Sequence, residues 1–156
     1  MEKQMHDTNL GRMISLLYRQ FQMHINRELK ALGINSSQYI YLANLYEKDG
    51  MNQEALSSAL YIDKAATARA LDKLETSGYI RREVDARDKR SKCVYLTEQA
   101  LSVRPIIMEA LMKWNQIIQE DLSVEEIMRT SETLSRMSNS VLSHASGGPI
   151  GEGDKQ

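Results

Sequence analysis

One segment, residues 63–97, limits the possible folds of this chain more than any other. It predicts a helix that begins after Asp63, since a carboxylate there accepts hydrogen bonds from the free amides of the first turn. The helix ends at Gly78, because a glycine adopts the left-handed cap conformation at little steric cost. Two short strands follow, 79–84 and 93–96, with a polar turn between them. A helix followed by a hairpin with cations at its tip is a shape suited to a nucleic-acid duplex.

The charge of this segment differs from that of the rest of the chain. Residues 63–92 hold nine Lys/Arg and six Asp/Glu, a net charge of +3, whereas the whole chain carries −1, so all other residues sum to −4. A positive island on an acidic chain is an electrostatic footprint for phosphate groups. Charge alone favours a solvated hairpin that binds nothing, because runs of charged residues are common on protein surfaces.

The composition predicts one mostly helical domain in the cytoplasm. The 156 residues suffice for a hydrophobic core, and there are only two prolines. The sequence contains neither an apolar run near the roughly 20 residues of a bilayer span nor an apolar secretory signal at its start. The single cysteine fits a reducing compartment. We therefore expect a cytoplasmic protein without a membrane partner.

Helical periodicity accounts for the chain before the central segment. Apolar residues at spacings of three and four predict a long amphipathic helix over 8–32, ended by Gly33. Asn35 or Ser36 is expected to cap the next helix.

A further short helix over 53–60, capped by Asn52, precedes the helix that Asp63 opens. The two are separated by about three residues, which predicts a helix-turn-helix whose second helix enters the major groove. Tyr61 lies in that turn, so either the turn is wider than usual or Tyr61 covers the core.

Two long helices are predicted after the hairpin. Thr97 caps the first, and Pro105 inside its pattern predicts a kink or a break near 103–104. Ser123 caps the second helix. The Gly-rich residues 146–156 are expected to form a disordered tail.

The predicted fold class is therefore mainly α with a small β-hairpin wing, in a single domain over 1–145. A winged helix-turn-helix lobe covers about 35–97, and N- and C-terminal helices over about 8–32 and 98–145 form a dimerisation region. These terminal helices carry more apolar surface than a small lobe can cover, so a homodimer is expected. Its two recognition helices would read half-sites about 34 Å apart.

The segment 71–100 resembles the MarR family of transcription regulators. The most specific part is the wing pattern Asp85-x-Arg87-Asp88-x-Arg90 followed by Val94-x-Leu96-Thr97. The resemblance implies a homodimer that binds double-stranded DNA at a palindromic promoter site, usually as a repressor that a small ligand or an oxidant releases.

The resemblance also implies which residues meet DNA. The expected contacts are Lys64, Ala65, Ala66, Thr67, Arg69 and Lys73 on the recognition helix and Arg87, Lys89, Arg90 and Lys92 on the wing. Thr67 can bond a base or a phosphate, and Arg69 can hold guanine bidentately or clamp a phosphate. Arg90 is expected in the minor groove, and Asp88 is expected to orient Arg90 by a charge-assisted hydrogen bond.

Relatives bind aromatic acids between the dimer helices and the winged lobe, so a small aromatic effector is a possible partner. The candidate pocket residues are Met13, Tyr18, Tyr39, Met51 and Trp114. At each of these positions an ordinary core or interface side chain is the competing interpretation.

Other functional classes have weaker support in the sequence. Cys93 in the second wing strand could have its pKa lowered by Arg90 and Lys92, although a packed cysteine is the simpler interpretation. The histidines and Cys93 are scattered without metal-ligand spacing, and no catalytic signature occurs, so neither a metal, a cofactor nor an enzyme is expected. The main rival is a helical dimeric adaptor that binds proteins and has lost DNA binding.

Overall fold

The computed structural model describes residues 9–146. Its elements in chain order are α1 (Leu10–Glu28), a 3-10 turn (Lys30–Leu32), α2 (Tyr39–Glu47), β1 (Met51–Asn52), α3 (Gln53–Leu60), α4 (Lys64–Thr76), β2 (Ile80–Val84), β3 (Lys92–Leu96), α5 (Glu98–Gln119) and α6 (Val124–Ser146). The mainly helical fold class with a hairpin wing is confirmed. The chain divides within α5 into two compact units, one ending at Trp114 and the other starting at Asn115.

The core of the first unit lies where the helix-turn-helix meets the helices on either side of it. The completely buried side chains include Ile25 and Leu29 of α1, Leu42 of α2, Leu71 of α4 and Ile107 of α5. Since each of these helices contributes its apolar stripe to one cluster, the recognition helix has a fixed rotation about its own axis.

The first predicted helix is one α-helix followed by a 3-10 turn. Asn9 caps it by accepting a hydrogen bond from the Arg12 amide at 3.0 Å. Gly33 ends the turn in the left-handed conformation at φ 67°, as predicted.

The prediction that Asn35 or Ser36 caps α2 is wrong, because α2 begins at Tyr39. The Asn35 carbonyl accepts bonds from the amides of Gln38 and Tyr39, both at 3.0 Å, while its side chain accepts from the Ser37 amide at 3.0 Å. Asn35 therefore organises a separate turn ahead of the helix.

The wing is a three-stranded antiparallel sheet in the order β1-β3-β2. In the hairpin, Ile80 pairs with Leu96 and Val84 with Lys92, and on the other side of β3, Met51 pairs with Val94. Strand β1 was not predicted, because two residues carry no periodicity. Its pairing ties the hairpin to the residues that open α3.

Pro105 lies inside α5, which is continuous from Glu98 to Gln119, so the alternative of a break is wrong. Proline removes the amide that would bond the carbonyl four residues earlier, that of Leu101. Both residues are solvent-exposed, so water can solvate the freed carbonyl.

The second unit contains α6, which Ser123 caps as predicted, and the structure adds a reciprocal bond that completes a capping box. The Glu126 amide donates to Ser123 Oγ at 3.2 Å, and the Ser123 amide donates to Glu126 Oε2 at 2.8 Å. The predicted tail beyond residue 146 lies outside the described residues. Within 9–146, no helix combines the length and the apolarity that a bilayer span requires.

Tyr61, in the helix-turn-helix turn, is the one non-glycine residue with positive φ among residues 9–146. Its backbone is left-handed (φ 54°, ψ 35°), because the Ile62 amide bonds back to the Ser57 carbonyl at 3.1 Å. The side chain is 75% exposed, so the interpretation that Tyr61 covers the core is wrong. Steric strain at this position is therefore not offset by burial of the ring.

We expect Tyr61→Gly to raise the free energy of unfolding by about 0.5–1 kcal/mol. Glycine removes a left-handed penalty of about 1–2 kcal/mol and loses part of that gain to backbone entropy in the unfolded chain. Urea unfolding followed by circular dichroism measures the change. Tyr61→Ala is the matched control, because it removes the ring but keeps Cβ; an equal gain in both variants would contradict the backbone explanation.

Candidate nucleic-acid interface

The N-terminal half of α4 presents basic side chains to solvent. Asp63 caps the helix as predicted, accepting a bond from the Ala66 amide at 2.8 Å. Lys64, Ala65 and Arg69 are exposed. Lys64 Nζ lies 3.4 Å from Glu54 Oε1, an exposed pair of little energetic weight that can open when phosphate arrives.

Thr67 is not on this surface, so its predicted contact with DNA is wrong. The residue is completely buried, and its Oγ1 lies 3.1 Å from the Tyr41 hydroxyl in a hydrogen bond. Helical geometry explains the error, because Thr67 shares the inward face of α4 with Ala70, Leu71 and Leu74. Ala66 is half-buried and lies between the two faces.

Lys73, farther along α4, is exposed. Its neighbours on the outer face, Asp72 and Glu75, are acidic and bond Arg82 of β2. Arg82 was not among the predicted site residues. No local signal in the sequence indicates this role, because the partners Asp72 and Glu75 lie 10 and 7 residues away on a different element.

The wing tip is a turn held by its own backbone and by Asp85. The Asp85 amide donates to the Ser91 carbonyl at 2.9 Å, and the Ser91 amide donates to the Asp88 carbonyl at 3.0 Å. Asp85 Oδ1 accepts from the Arg87 amide at 2.9 Å. Hydrogen bonds from the Arg87 amide and then from Asn52 hold the pKa of Asp85 below its usual value, so this carboxylate stays charged while it organises the turn.

The predicted wing cations all lie on the surface. Arg87, Lys89, Arg90 and Lys92 are exposed, and the Arg90 side chain is 92% accessible. Asp88 Oδ1 accepts bonds from the Arg90 backbone amide at 3.1 Å and from Arg90 Nε at 3.2 Å. The two remaining guanidinium nitrogens of Arg90, Nη1 and Nη2, make no hydrogen bond within residues 9–146 and are available to a ligand.

Asn52 connects the wing to the helix-turn-helix. Its Oδ1 caps α3 by accepting from the Glu54 amide at 2.9 Å, as predicted. Its Nδ2 donates to Asp85 Oδ2 at 3.0 Å and to Ser91 Oγ at 2.5 Å. The second role was not predicted, because a bond across 33 or more residues leaves no local trace in the sequence.

A cavity of about 550 Å³ lies between the middle of α1, the start of α2, the end of α3 and the recognition helix α4. It is lined by Tyr18, Phe21, Gln22, Ser36, Ser37, Tyr39, Ile40, Tyr41, Leu60, Ile62, Ala66, Arg69, Ala70 and Lys73. Most of the lining is apolar, and Arg69 and Lys73 add two cations. A flat organic acid matches this combination of walls and charge.

Only two of the five predicted pocket residues, Tyr18 and Tyr39, line this cavity. Met13 is exposed on α1, and Met51 in β1 packs against the core. The Trp114 ring lies 5.3 Å from that of Phe21 and 5.6 Å from that of His24, between α1 and α5. Helical and strand periodicity cannot tell such packed side chains from cavity walls.

Cys93 does not have the low pKa that its cationic neighbours suggested. Burial, and then the charge of Asp85, raise the pKa of its thiol. A raised pKa lowers the thiolate fraction and therefore the reactivity. Within residues 9–146, no three His, Cys, Asp or Glu side chains form a group suited to a metal ion.

The helix-turn-helix of α3 and α4, followed by a hairpin with exposed cations, defines a winged helix-turn-helix protein. The model of the MarR family matches residues 34–92. A solved MarR transcriptional regulator from Methanosarcina mazei Go1 is 36% identical, with a TM-score of 0.82 over 86% of this chain and 96% of that one. The chain therefore belongs to the MarR family of DNA-binding transcriptional regulators, as its wing motif predicted.

Two further similarities agree with this assignment. An uncharacterized HTH-type transcriptional regulator of Bacillus subtilis, YybA, is 29% identical over 130 residues, which cover 83% of this chain and 87% of that protein. A MarR variant from E. coli, solved in complex with operator DNA, shares the fold at 23% identity, with a TM-score of 0.76 over 83% of this chain and 94% of that one.

We expect Thr67→Val to lower the free energy of unfolding by about 1–2 kcal/mol, because it leaves the buried Tyr41 hydroxyl without its partner. DNA affinity of the folded protein should not change. The double variant with Tyr41→Phe should recover most of the loss, since both polar groups are then absent. Chemical unfolding and a DNA titration measure the two quantities; a weakened DNA complex with unchanged stability would restore Thr67 as a contact.

Proposed function

We propose that this protein binds a palindromic promoter site as a homodimer and acts there as a repressor. The observation that carries the proposal is the joint presentation of exposed cations by the recognition helix and the wing tip of one packed lobe. Cations on two separated elements fit a duplex better than a flat anionic surface, because the elements can enter adjacent grooves. We expect it to act in the cytoplasm.

Each exposed cation has a physical role in this proposal. Lys64 and Arg69 lie on the outward face of α4, where a guanidinium can take guanine O6 and N7 or clamp a phosphate. Arg90 enters the minor groove, whose negative potential favours a guanidinium, and Asp88 restricts its rotamers beforehand. A MarR variant from E. coli with the same fold was solved in complex with operator DNA, which supports binding of a duplex by this kind of lobe.

A homodimer is supported by apolar surface on α1. The stripe of this helix continues from the buried Ile25 to Phe21 and then to Leu17, Ile14 and Leu10, which are 53%, 49% and 45% exposed. Isolated apolar residues on a surface are ordinary, but a continuous stripe of this kind marks an interface. Helix α6 carries its own exposed apolar residues, among them Val124, Met128 and Val141.

Release by a small aromatic acid is supported by the cavity beside α4. Arg69 and Lys73 line it and also lie on the helix that is to meet DNA. A carboxylate bound between Arg69 and Lys73 would pair with both side chains, which could then no longer contact phosphates. Binding of the ligand and binding of DNA would therefore compete.

We expect the protein to bind a duplex from the DNA flanking its own gene in a salt-sensitive manner. Each phosphate contact should contribute about one log unit of affinity per log unit of salt. Arg90→Ala should weaken binding about fivefold to tenfold, within the range of a lost charged contact. Fluorescence anisotropy at two salt concentrations with non-specific competitor measures both effects.

Arg81→Ala is the control, because it removes one charge from the same hairpin but away from the tip. It should retain affinity within about twofold. Binding that competitor removes entirely would instead favour the adaptor function.

We expect Leu17→Glu to convert a dimer into a monomer, because it places a carboxylate in the apolar stripe of α1. Light scattering should show the mass falling from about twice 17.8 kDa to that of one chain. Arg19→Glu, on the opposite side of the same helix, is the control and should remain dimeric. A monomeric wild-type protein would contradict the proposed assembly.

A further inference from the structure

One cation of the hairpin is withdrawn from solvent. The Arg82 side chain is only 12% exposed, whereas the tip cations Arg87, Lys89 and Arg90 are exposed. It lies in the middle of β2, paired with the completely buried Val94 of β3. A charge in such a position is stable only when hydrogen bonds replace its hydration.

All three guanidinium nitrogens of Arg82 have partners on other elements. Nη2 lies 2.5 Å from Asp72 Oδ1 and 3.0 Å from Glu75 Oε1, and Nε donates to Glu75 Oε2 at 3.3 Å. Nη1 donates to Gln53 Oε1 at 3.2 Å. One side chain therefore joins β2 of the wing to the recognition helix and to the first turn of α3.

The bonds from Arg82 act on a strand that has few other attachments. Strand β2 pairs with β3 alone, because β1 lies on the far side of β3. Hairpins of two strands are marginally stable by themselves. Ile80 anchors the start of β2 in the core, Arg82 bonds the middle of the strand to α3 and α4, and Asn52 holds Asp85 just beyond its end.

Two of the partners of Arg82 are acids on the outer face of α4. Asp72 and Glu75 belong to the helix that must approach phosphates, and their charges would repel them. The Arg82 hydrogen bond, above all, keeps the pKa of Glu75 below its usual value, so Glu75 stays ionised and Arg82 partly neutralises its charge. A bidentate arginine also limits the orientation of the wing more than a lysine would.

We propose that Arg82 is a positioning residue that fixes the wing at the angle to the recognition helix at which Arg90 and α4 reach one duplex together. Arg82 does not itself touch DNA in this proposal. Without the Arg82 side chain, the tip cations are still present on the hairpin. They then no longer reach the minor groove at the same time as α4 lies in the major groove. This inference rests on the proposed DNA-binding function.

The test is a double-mutant cycle of Arg82→Met and Arg90→Ala in the full chain, read as affinity for the duplex from the DNA flanking its own gene. Arg82→Met should weaken binding about tenfold. Arg90→Ala should then lower the affinity by less than about twofold in the Arg82→Met background, although it lowers the affinity severalfold in the wild type. The reason is that substitutions of residues that act together do not have additive effects.

Arg81→Met is the matched control. Arg81 precedes Arg82 on the same strand, but it is exposed, ion-paired with Glu83 and stacked 4.5 Å from the Tyr95 ring. Arg81→Met removes one positive charge, as Arg82→Met does, but it leaves the bonds between Arg82 and α4 in place. Arg90→Ala should therefore weaken DNA binding as much in this background as in the wild type.

Hydrogen exchange separates positioning from general destabilisation. In DNA-free Arg82→Met, amides of β2 and β3 should exchange faster while those in the buried half of α4 keep their protection. If Arg82→Met does not fold, Arg82→Lys replaces it, because it keeps the charge but cannot reach Asp72, Glu75 and Gln53 together; it should show the same loss of coupling to Arg90.

An equal cost of Arg90→Ala with and without Arg82 would overturn the proposal while leaving DNA binding intact. Uniformly faster exchange throughout the lobe would overturn it as well. A wild-type protein that binds no duplex would overturn the proposed function, and with it any positioning role.

Discussion

The packing of the inner face of α4 against the core determines what the rest of the lobe can do. Thr67, Ala70, Leu71 and Leu74 are buried, and helical geometry then turns the intervening side chains outward. The buried hydrogen bond between Thr67 and Tyr41 further restricts the rotation of α4 about its axis, because the two hydroxyl groups can bond in one orientation of the helix only. The exposed positions of the recognition helix follow from what the helix buries.

The wing depends on polar links of a different kind. Asn52 ties the tip turn to the start of α3, and Arg82 ties the middle of β2 to α4. Both residues bond more than one partner with a planar group, so each limits orientation as well as distance. Hydrophobic burial holds the base of the hairpin, but it is non-directional and could not by itself set the angle of the tip.

Paired charges and exposed cations lie in different parts of the lobe. Near the base of the wing, cations and acids are paired, as in Arg82 with Asp72 and Glu75. At the wing tip, residues 85–92, four exposed cations outnumber two acids. A net charge of −1 for the whole chain therefore coexists with a surface that favours phosphate, and Arg69 and Lys73 extend that surface to the cavity.

The sequence by itself determined the elements whose signals are local. Asp63, Asn52 and Ser123 cap their helices as predicted, and Gly33 and Gly78 end theirs, because capping depends on a few neighbouring residues. The wing motif was sufficient to predict the family, and the exposed tip cations were correctly placed on the surface.

Only the tertiary structure decided which side of each element faces inward and what joins distant elements. Thr67 was predicted on the surface and is buried, and Met51 and Trp114 pack instead of lining the cavity. The roles of Arg82 and of the Asn52 amide rest on bonds across 7 to 39 residues. Such contacts form only when the core packs. The sequence therefore shows which residues are present, but not which of them come within hydrogen-bonding distance of one another.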